Sequence, residues 1–191
     1  MTEKRVPIVT GAARGIGYTT TQALAQSGFA LALLDQDESG ARAAAAALDT
    51  EALAIGCDIS DLAGHDGVLA RIADRFGRID CLVNNTGVVS PERLDYCIAK
   101  AGLAMFVQGL AVRLAPHRTA VFEVRPGIIR TDMTRLAAER YENLIRDGVV
   151  PVRRWGEPAD VASVIAGLAS STIYATGSVL NVDSGLAIAR F

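Results

Sequence analysis

The feature that most narrows what this chain can fold into is Thr10-Gly11-Ala12-Ala13-Arg14-Gly15-Ile16-Gly17. A short apolar run, Val6 to Thr10, precedes it, and a helix-like segment reaching Ser27 follows, so the glycines fall where a strand becomes a helix. A helix N-terminus presents unpaired backbone N–H groups and the positive end of a dipole, and glycines let a phosphate approach the main chain without meeting a Cβ. By analogy with the dinucleotide fingerprint, Gly11 permits the tight turn, Gly15 the close approach and Gly17 the packing of the helix on its strand. The spacing, G-x-x-x-G-x-G, is a variant of that fingerprint and alone fits many glycine turns. A second apolar run, Ala30 to Leu34, ends in Asp35, 24 positions after Gly11. There the rule places an acid that accepts hydrogen bonds from the adenosine ribose.

The chain then alternates. Helical spacing of Ile16, Thr20, Ala23 and Leu24 stops at Gly28, and an alanine-rich helix over about Ser39 to Leu48 leads to a third apolar run, Ala52 to Cys57. A helix over about Asp61 to Phe76, stopped by Gly77, precedes a fourth strand, Ile79 to Val83, and the tight sequence Asn84-Asn85-Thr86-Gly87. Such alternation predicts an α/β fold, a doubly wound parallel sheet with helices on both faces in a single domain over residues 1–191. Ligands bind at the carboxyl ends of the strands in such sheets. Asp35, Asp58 and Asn84 to Gly87 share that edge with the glycine loop, although Asp58 by itself reads equally well as a turn residue.

Composition excludes several function classes. With 191 residues and a formal net charge of −2, the chain has no basic excess to suggest nucleic acid and no apolar run of membrane-spanning length. Met1-Thr2-Glu3-Lys4-Arg5 leads directly into the first strand, and a cytoplasmic protein is expected. Cys57, Cys81 and Cys97 are widely spaced in apolar surroundings and read as buried thiols. His65 and His117 have no partners at ligand spacing, so no metal is assigned.

Ser90 and Pro91 open a long helix to about Leu114, with Leu103, Phe106, Leu110 and Leu114 read as one face. It contains Tyr96 and Lys100, four residues apart and so on a common side. A phenol titrates near pH 10, and a neighbouring cation favours phenolate, bringing the group towards the range where it exchanges a proton with a substrate oxygen. Such a pair also occurs by chance on solvated helices. Ala120 to Val124 is a further strand, ending at Arg125-Pro126-Gly127. A polar helix from about Asp132 to Arg146 follows, with Thr131 as its cap, and then a helix over Glu157 to Ala169 and a last strand over Val179 to Val182.

Taken in order, Thr10-Gly11-x-x-x-Gly15-x-Gly17, Asn84-Asn85-x-Gly87, Tyr96-x-x-x-Lys100 and Arg125-Pro126-Gly127 resemble the short-chain dehydrogenase/reductases. Arg154-Trp155-Gly156-Glu157-Pro158, Thr176-Gly177-Ser178 and Val182-Asp183-Ser184-Gly185 look like that family's C-terminal pattern, so the resemblance covers nearly the whole chain. It implies a Rossmann fold that moves hydride between a nicotinamide dinucleotide and a small-molecule carbonyl or secondary alcohol, as in the 3-oxoacyl carrier-protein reductases, which the chain resembles. It also implies that Tyr96 is the general acid/base and that Lys100 binds the nicotinamide ribose and lowers the phenol's pKa. Gly11, Arg14, Gly15, Ile16 and Gly17 would line the cofactor, and Asp58 would face the adenine with Ile59 beside it. Asn85, Thr86 and Gly87 would hold the cofactor side of strand four. Pro126, Gly127, Ile129 and Thr131 would lie at the nicotinamide end, with Ile129 and Thr131 contacting its carboxamide. Thr86 stands where the family usually has alanine. Asp35 favours NAD over NADP by repelling a 2′-phosphate, and Arg14 pulls the other way. A homo-oligomer is expected, with no nucleic-acid or membrane partner.

The chain departs from the family between Gly87 and Tyr96, only nine positions apart where the family has two helices and a strand, roughly sixty residues. That interval carries the family's catalytic serine, the asparagine anchoring its proton-relay water, and a main subunit interface. Thirteen positions before Tyr96 the family has its serine, and here stands Val83. Ser90 directly precedes Pro91, which suits a helix cap. Joining the flanks predicts an ordinary βαβ unit and six parallel strands instead of seven. Two functions therefore compete: an NAD-dependent oxidoreductase, and a shortened dinucleotide-binding pseudoenzyme. A sequence with an omitted segment would also explain the intact motifs on both sides.

Overall fold

The computed structural model describes residues 4–85, 94–171 and 173–188, and for residues 94–99 the backbone alone. Four strands, β1 (Pro7–Thr10), β2 (Leu31–Asp35), β3 (Ala52–Gly56) and β4 (Cys81–Val83), form a parallel sheet in the order β3-β2-β1-β4. Val9 lies opposite Leu33 on one side and Val83 on the other. The chain thus steps outward from β1 to β3 and then crosses back to add β4 on β1's free edge. That reversal makes a crevice above the carboxyl ends of β1 and β4, where the glycine loop begins.

Alternation along each strand divides the core between the two faces of this sheet. Val9, Leu31 and Leu33 pack with Leu24 of α1 (Gly15–Gln26), Ala44 of α2 (Glu38–Ala46) and Ala166 of α6 (Pro158–Ser170). Ile8, Ala32, Leu34 and Ile55 pack with Ile72 of α3 (His65–Phe76). Full burial of each Leu, Ile or Val side chain among these contributes about 1.5–3 kcal/mol. Helices on both faces and all-parallel pairing match the doubly wound expectation.

Local chemistry fixes the helix ends. Asp37 caps α2, its side chain accepting from the Gly40 N–H, so the helix starts one residue before the serine predicted to open it. Gly77 ends α3 in the left-handed region at φ 71°. The segment expected as one helix from Asp61 is a 3₁₀ turn over Leu62–Gly64 followed by α3.

The chain divides into two compact units, one comprising Met1–Thr86, Thr131–Met133 and Glu157–Ser170, the other Gly87–Arg130, Thr134–Gly156 and Ser171–Phe191. The second holds α4 (Leu94–Leu114), β5 (Phe122–Pro126), α5 (Ala138–Arg146) and β6 (Ser178–Val182). β5 and β6 form their own parallel pair. Ile145, Val150 and Trp155 make a small core there, with the Tyr141 ring edge-on to Trp155 at 5.8 Å.

Three expectations are corrected. Among the described residues β4 and β5 do not pair, so the six parallel strands form sheets of four and two and the expected continuous βαβ extension is not made. The face of α4 read from Leu103, Phe106, Leu110 and Leu114 is not uniform in burial: Leu103 is 44% and Phe106 62% exposed, Leu110 and Leu114 are half-buried, and Ala111 is buried. This helix is apolar on nearly all sides, and its sequence marks no single stripe. Thr131 caps no helix, because α5 begins only at Ala138, with Ala137 before it.

Candidate functional site

The glycine loop is built by backbone geometry that favours glycine. Gly11 has φ 63° and Gly15 φ 58°, both in the left-handed region. Arg14 precedes α1 in extended conformation without a side-chain cap, so the helix's first N–H groups are left for a ligand. A Cβ on Gly17 would stand 2.0 Å from the Gly11 carbonyl oxygen, which shows how tightly the helix start is folded against the turn. Among the described residues a Cβ on Gly15 would meet only Thr131 Cγ2, at 4.0 Å, so they leave the Gly15 face as an open cradle. These observations fit a bound pyrophosphate.

Asn85 ties this loop to β4. Its backbone N–H donates to Thr10 Oγ1 at 3.0 Å, and its side-chain Nδ2 donates to the carbonyls of Thr10 at 3.1 Å and Gly11 at 3.3 Å. The Thr10 hydroxyl in turn donates to the Val83 carbonyl. A carboxamide is the right group here because two backbone acceptors must be met at once.

Asp35, at the carboxyl end of β2, is held from both sides. Its Oδ2 accepts from the Ala13 N–H and its Oδ1 from the Asp37 N–H, each at 3.0 Å. Each oxygen keeps a lone pair for a ribose hydroxyl. At the end of β3, Asp58 Oδ1 accepts from both the N–H and the hydroxyl of Ser60, at 2.9 and 2.7 Å, which holds its carboxyl below the usual range. This is the turn role; the carboxylate remains exposed. Ile59 is 42% exposed. Beside them opens a cavity of about 310 Å³ lined by Gly56, Cys57, Asp58, Asp61, Val68 and Arg71. Burial, then the charges of Asp58 and Asp61, push the Cys57 thiol up.

The first unit therefore brings together Gly11, Arg14, Gly15, Ile16, Gly17, Asp35, Asn85 and Thr131, with Asp58 and Ile59 at the next strand end. Thr131 comes from far along the chain, and no spacing rule places it against Gly15. In the second unit Gly127 lies against Asp183, whose Cα would be 2.7 Å from an added Cβ, and its N–H donates to the Val182 carbonyl just past Pro126. Ile129 is buried, bridged to Gly156, and its carbonyl accepts from Thr134 Oγ1. Tyr96 and Lys100 both lie in α4, Lys100 exposed. The Tyr96 side chain, Thr86 and Gly87 fall outside the described residues. Sequence reasoning missed Thr10 and Asp37. An acid just before an alanine-rich helix is a cap signal that could have found Asp37.

Residues 5–95 match the family model described as short chain dehydrogenase, and residues 88–187 match the one described as Enoyl-(Acyl carrier protein) reductase. The two matches meet at the shortened interval. The chain is 28% identical to the 3-oxoacyl-[acyl-carrier-protein] reductase FabG of Haemophilus influenzae, over 95% of this chain and 98% of that protein. It is likewise 28% identical to the short-chain reductase protein NovJ of Streptomyces niveus, over 97% and 95%. The first alignment spans 237 positions, so at least 46 of them are gaps in this 191-residue chain. Among solved structures, a 3-oxoacyl-[acyl-carrier protein] reductase from Brucella melitensis in complex with NAD superposes with a TM-score of 0.92 at 38% identity, covering 100% of both chains. On these matches and its ordered motifs, the chain belongs to the short-chain dehydrogenase/reductase family.

Proposed function

We propose that the chain is an oxidoreductase that binds NAD(H) in preference to NADP(H) and acts on a carbonyl or secondary alcohol, with 3-oxoacyl thioesters the first substrates to test. The observation that carries this is Asp35. Its carboxylate is fixed by Ala13 and Asp37 N–H groups beside the open Gly15 cradle, oriented to accept from ribose hydroxyls and to repel a 2′-phosphate. Bound there, the nicotinamide supplies or takes the hydride. The chain's own part is to hold the phosphates on the α1 N-terminus, to tie the loop to β4 through Asn85, and to move one proton at the Tyr96 phenol. Lys100, one turn further along α4, stabilises the phenolate.

A second reading has its own observation. Val83, thirteen positions before Tyr96, lies inside β4 opposite Val9 and cannot act as the family serine. Loss of one preorganised donor to a developing oxyanion costs on the order of 10²- to 10³-fold in rate. On this reading the chain binds the dinucleotide and reduces ketones slowly or not at all. Titration with NADH and NADPH at one salt concentration, then NADH oxidation with a 3-oxoacyl thioester, tests both. Tighter NADH binding with turnover supports the first reading, and binding without turnover the second. Equal or tighter NADPH binding would defeat the Asp35 argument.

A further inference from the structure

Resting on the NAD(H)-binding reading, the place of the base follows from that of the ribose. Asp35 and Gly56 are register partners, and the Asp35 carbonyl accepts from the Cys57 N–H at 2.9 Å. Paired strands lie about 4.8 Å apart, so a base joined to a ribose at Asp35 is within reach of the next strand end. With the phosphates at the glycine loop on the β1 side, the base is left the β3 side, where Asp58 and Ile59 follow Cys57. The turn that begins there is not held by packing. Every residue from Asp58 to Ala63 is exposed, Leu62 at 78%. Most of its hydrogen bonds are its own. The Asp61 N–H donates to the Asp58 carbonyl and the Leu62 N–H to that of Ser60, each at 3.1 Å, and the Gly64 N–H donates to that of Asp61 at 3.2 Å. Such bonds shape the turn but move with it. The carbonyl between the first two, that of Ile59, accepts from the Nε2–H of His65 at 3.2 Å. His65 is the first residue of α3, and α3 is fixed in the core by the fully buried Ile72. Among the described residues, this is the side-chain hydrogen bond that ties the exposed turn to a rooted helix.

We propose that His65 is a positioning residue for the adenine end of the dinucleotide site: its ring N–H holds the Ile59 carbonyl, and with it the edge formed by Asp58 and Ile59, in place. It acts through that carbonyl six residues back and not by touching the ligand, so neither the glycine spacing nor the order of motifs points to it. Without the bond the turn samples other conformations, and affinity falls with the fraction of time spent in the competent one. A half-exposed hydrogen bond of ordinary strength sets that loss at up to about fivefold.

The test sets His65→Leu against His65→Gln. Glutamine carries an amide N–H at the reach of an imidazole Nε2, whereas leucine has no donor. Dissociation constants are measured for NADH, for ADP-ribose, which has the adenine half without the nicotinamide, and for reduced nicotinamide mononucleotide, which lacks the adenosine. His65→Leu should weaken NADH and ADP-ribose alike, by about two- to fivefold, with the mononucleotide unchanged. His65→Gln should bind all three as the parent does. Unchanged NADH and ADP-ribose affinity in His65→Leu would overturn the proposal. So would a mononucleotide weakened by the same factor, which would reduce His65 to a matter of general stability. Equal losses in His65→Gln and His65→Leu would assign the effect to the ring and not to its N–H, and would overturn it too. Should His65→Leu fold poorly, His65→Phe, which keeps a planar ring without the donor, makes the same comparison. A parent chain that binds neither NADH nor ADP-ribose would refute the NAD(H) reading and this inference with it, whereas a parent that binds both, with variants indistinguishable from it, refutes the inference alone.

Discussion

Gly17→Ala and Gly167→Ala are the same substitution in helices of the same unit, and they should have opposite signs. On Gly17 the new Cβ would lie 2.0 Å from the Gly11 carbonyl oxygen and 2.7 Å from Asn85 Nδ2. Ordinary contact begins near 3.4 Å, so loop and helix must separate by more than an ångström. The obstructing atom is backbone, which cannot swing aside as a side chain can. Overpacking of this kind costs about 1–3 kcal/mol, and displacing the loop also strains the Asn85 hydrogen bonds, each contributing about 1 kcal/mol. Helix propensity returns at most about 1 kcal/mol. A net loss of about 2–3 kcal/mol should lower the melting temperature by roughly 4–12 °C in a chain of this size. On Gly167, exposed in α6, nothing lies within 4 Å of the new Cβ. Only the propensity gain of about 0.5–1 kcal/mol remains. Thermal and urea denaturation of both variants, with NADH titration of the first, checks the pair. A Gly17→Ala protein as stable as the parent and binding NADH equally well would refute the reasoning.

Three further outcomes are expected. Asn85→Ala removes the amide that donates to Thr10 and Gly11, so it should cost about 1–3 kcal/mol in urea denaturation and weaken NADH binding, while Asn85→Asp, which has no donor, should not restore either. The Asp80 carboxyl is held below the ordinary aspartate range first by the Arg78 side chain and, through hydrogen bonding, by the Val6 N–H of a buried residue. A depressed folded pKa means its stabilisation is present above the unfolded value and is lost as pH falls through the folded one. Melting temperatures between pH 6 and pH 2.5 should therefore show a decline below about pH 4 that is smaller in Asp80→Asn, and identical slopes would count against it. Tyr96→Phe should lower any reductase rate about 10²- to 10⁴-fold with NADH affinity nearly unchanged, and a full rate in that variant would exclude Tyr96 as the acid.

The parts of the fold that depend on local pattern were legible in the sequence. Apolar runs marked β1 to β3 to within about a residue at each end, Gly77 marked the end of α3, and the interval from Gly11 to Asp35 located the crevice. What depended on distant partners was not. The pairing of β5 with β6 alone is a matter of tertiary placement, and nothing within the apolar run of β5 records which strand lies beside it. Leu103 and Phe106 carry the apolar character of a buried face, yet burial needs something to cover them. At the site, glycine spacing pointed to the cradle, but Thr131 beside Gly15 and Asp37 beside Ala13 arise from packing between segments far apart in sequence.

The Asn85 staple has a consequence for how this protein can change. The hydrogen bonds described above that shape the glycine cradle and fix Asp35 are made by residues between Thr10 and Asn85, upstream of the shortened interval. The side chain of Thr131 reaches it from later in the chain. The residues that shape the proposed phosphate and ribose end of the nucleotide site are thus written in a different stretch of sequence from Tyr96. A deletion between them can remove chemistry and leave that end of the site unchanged, so binding and turnover can be lost separately.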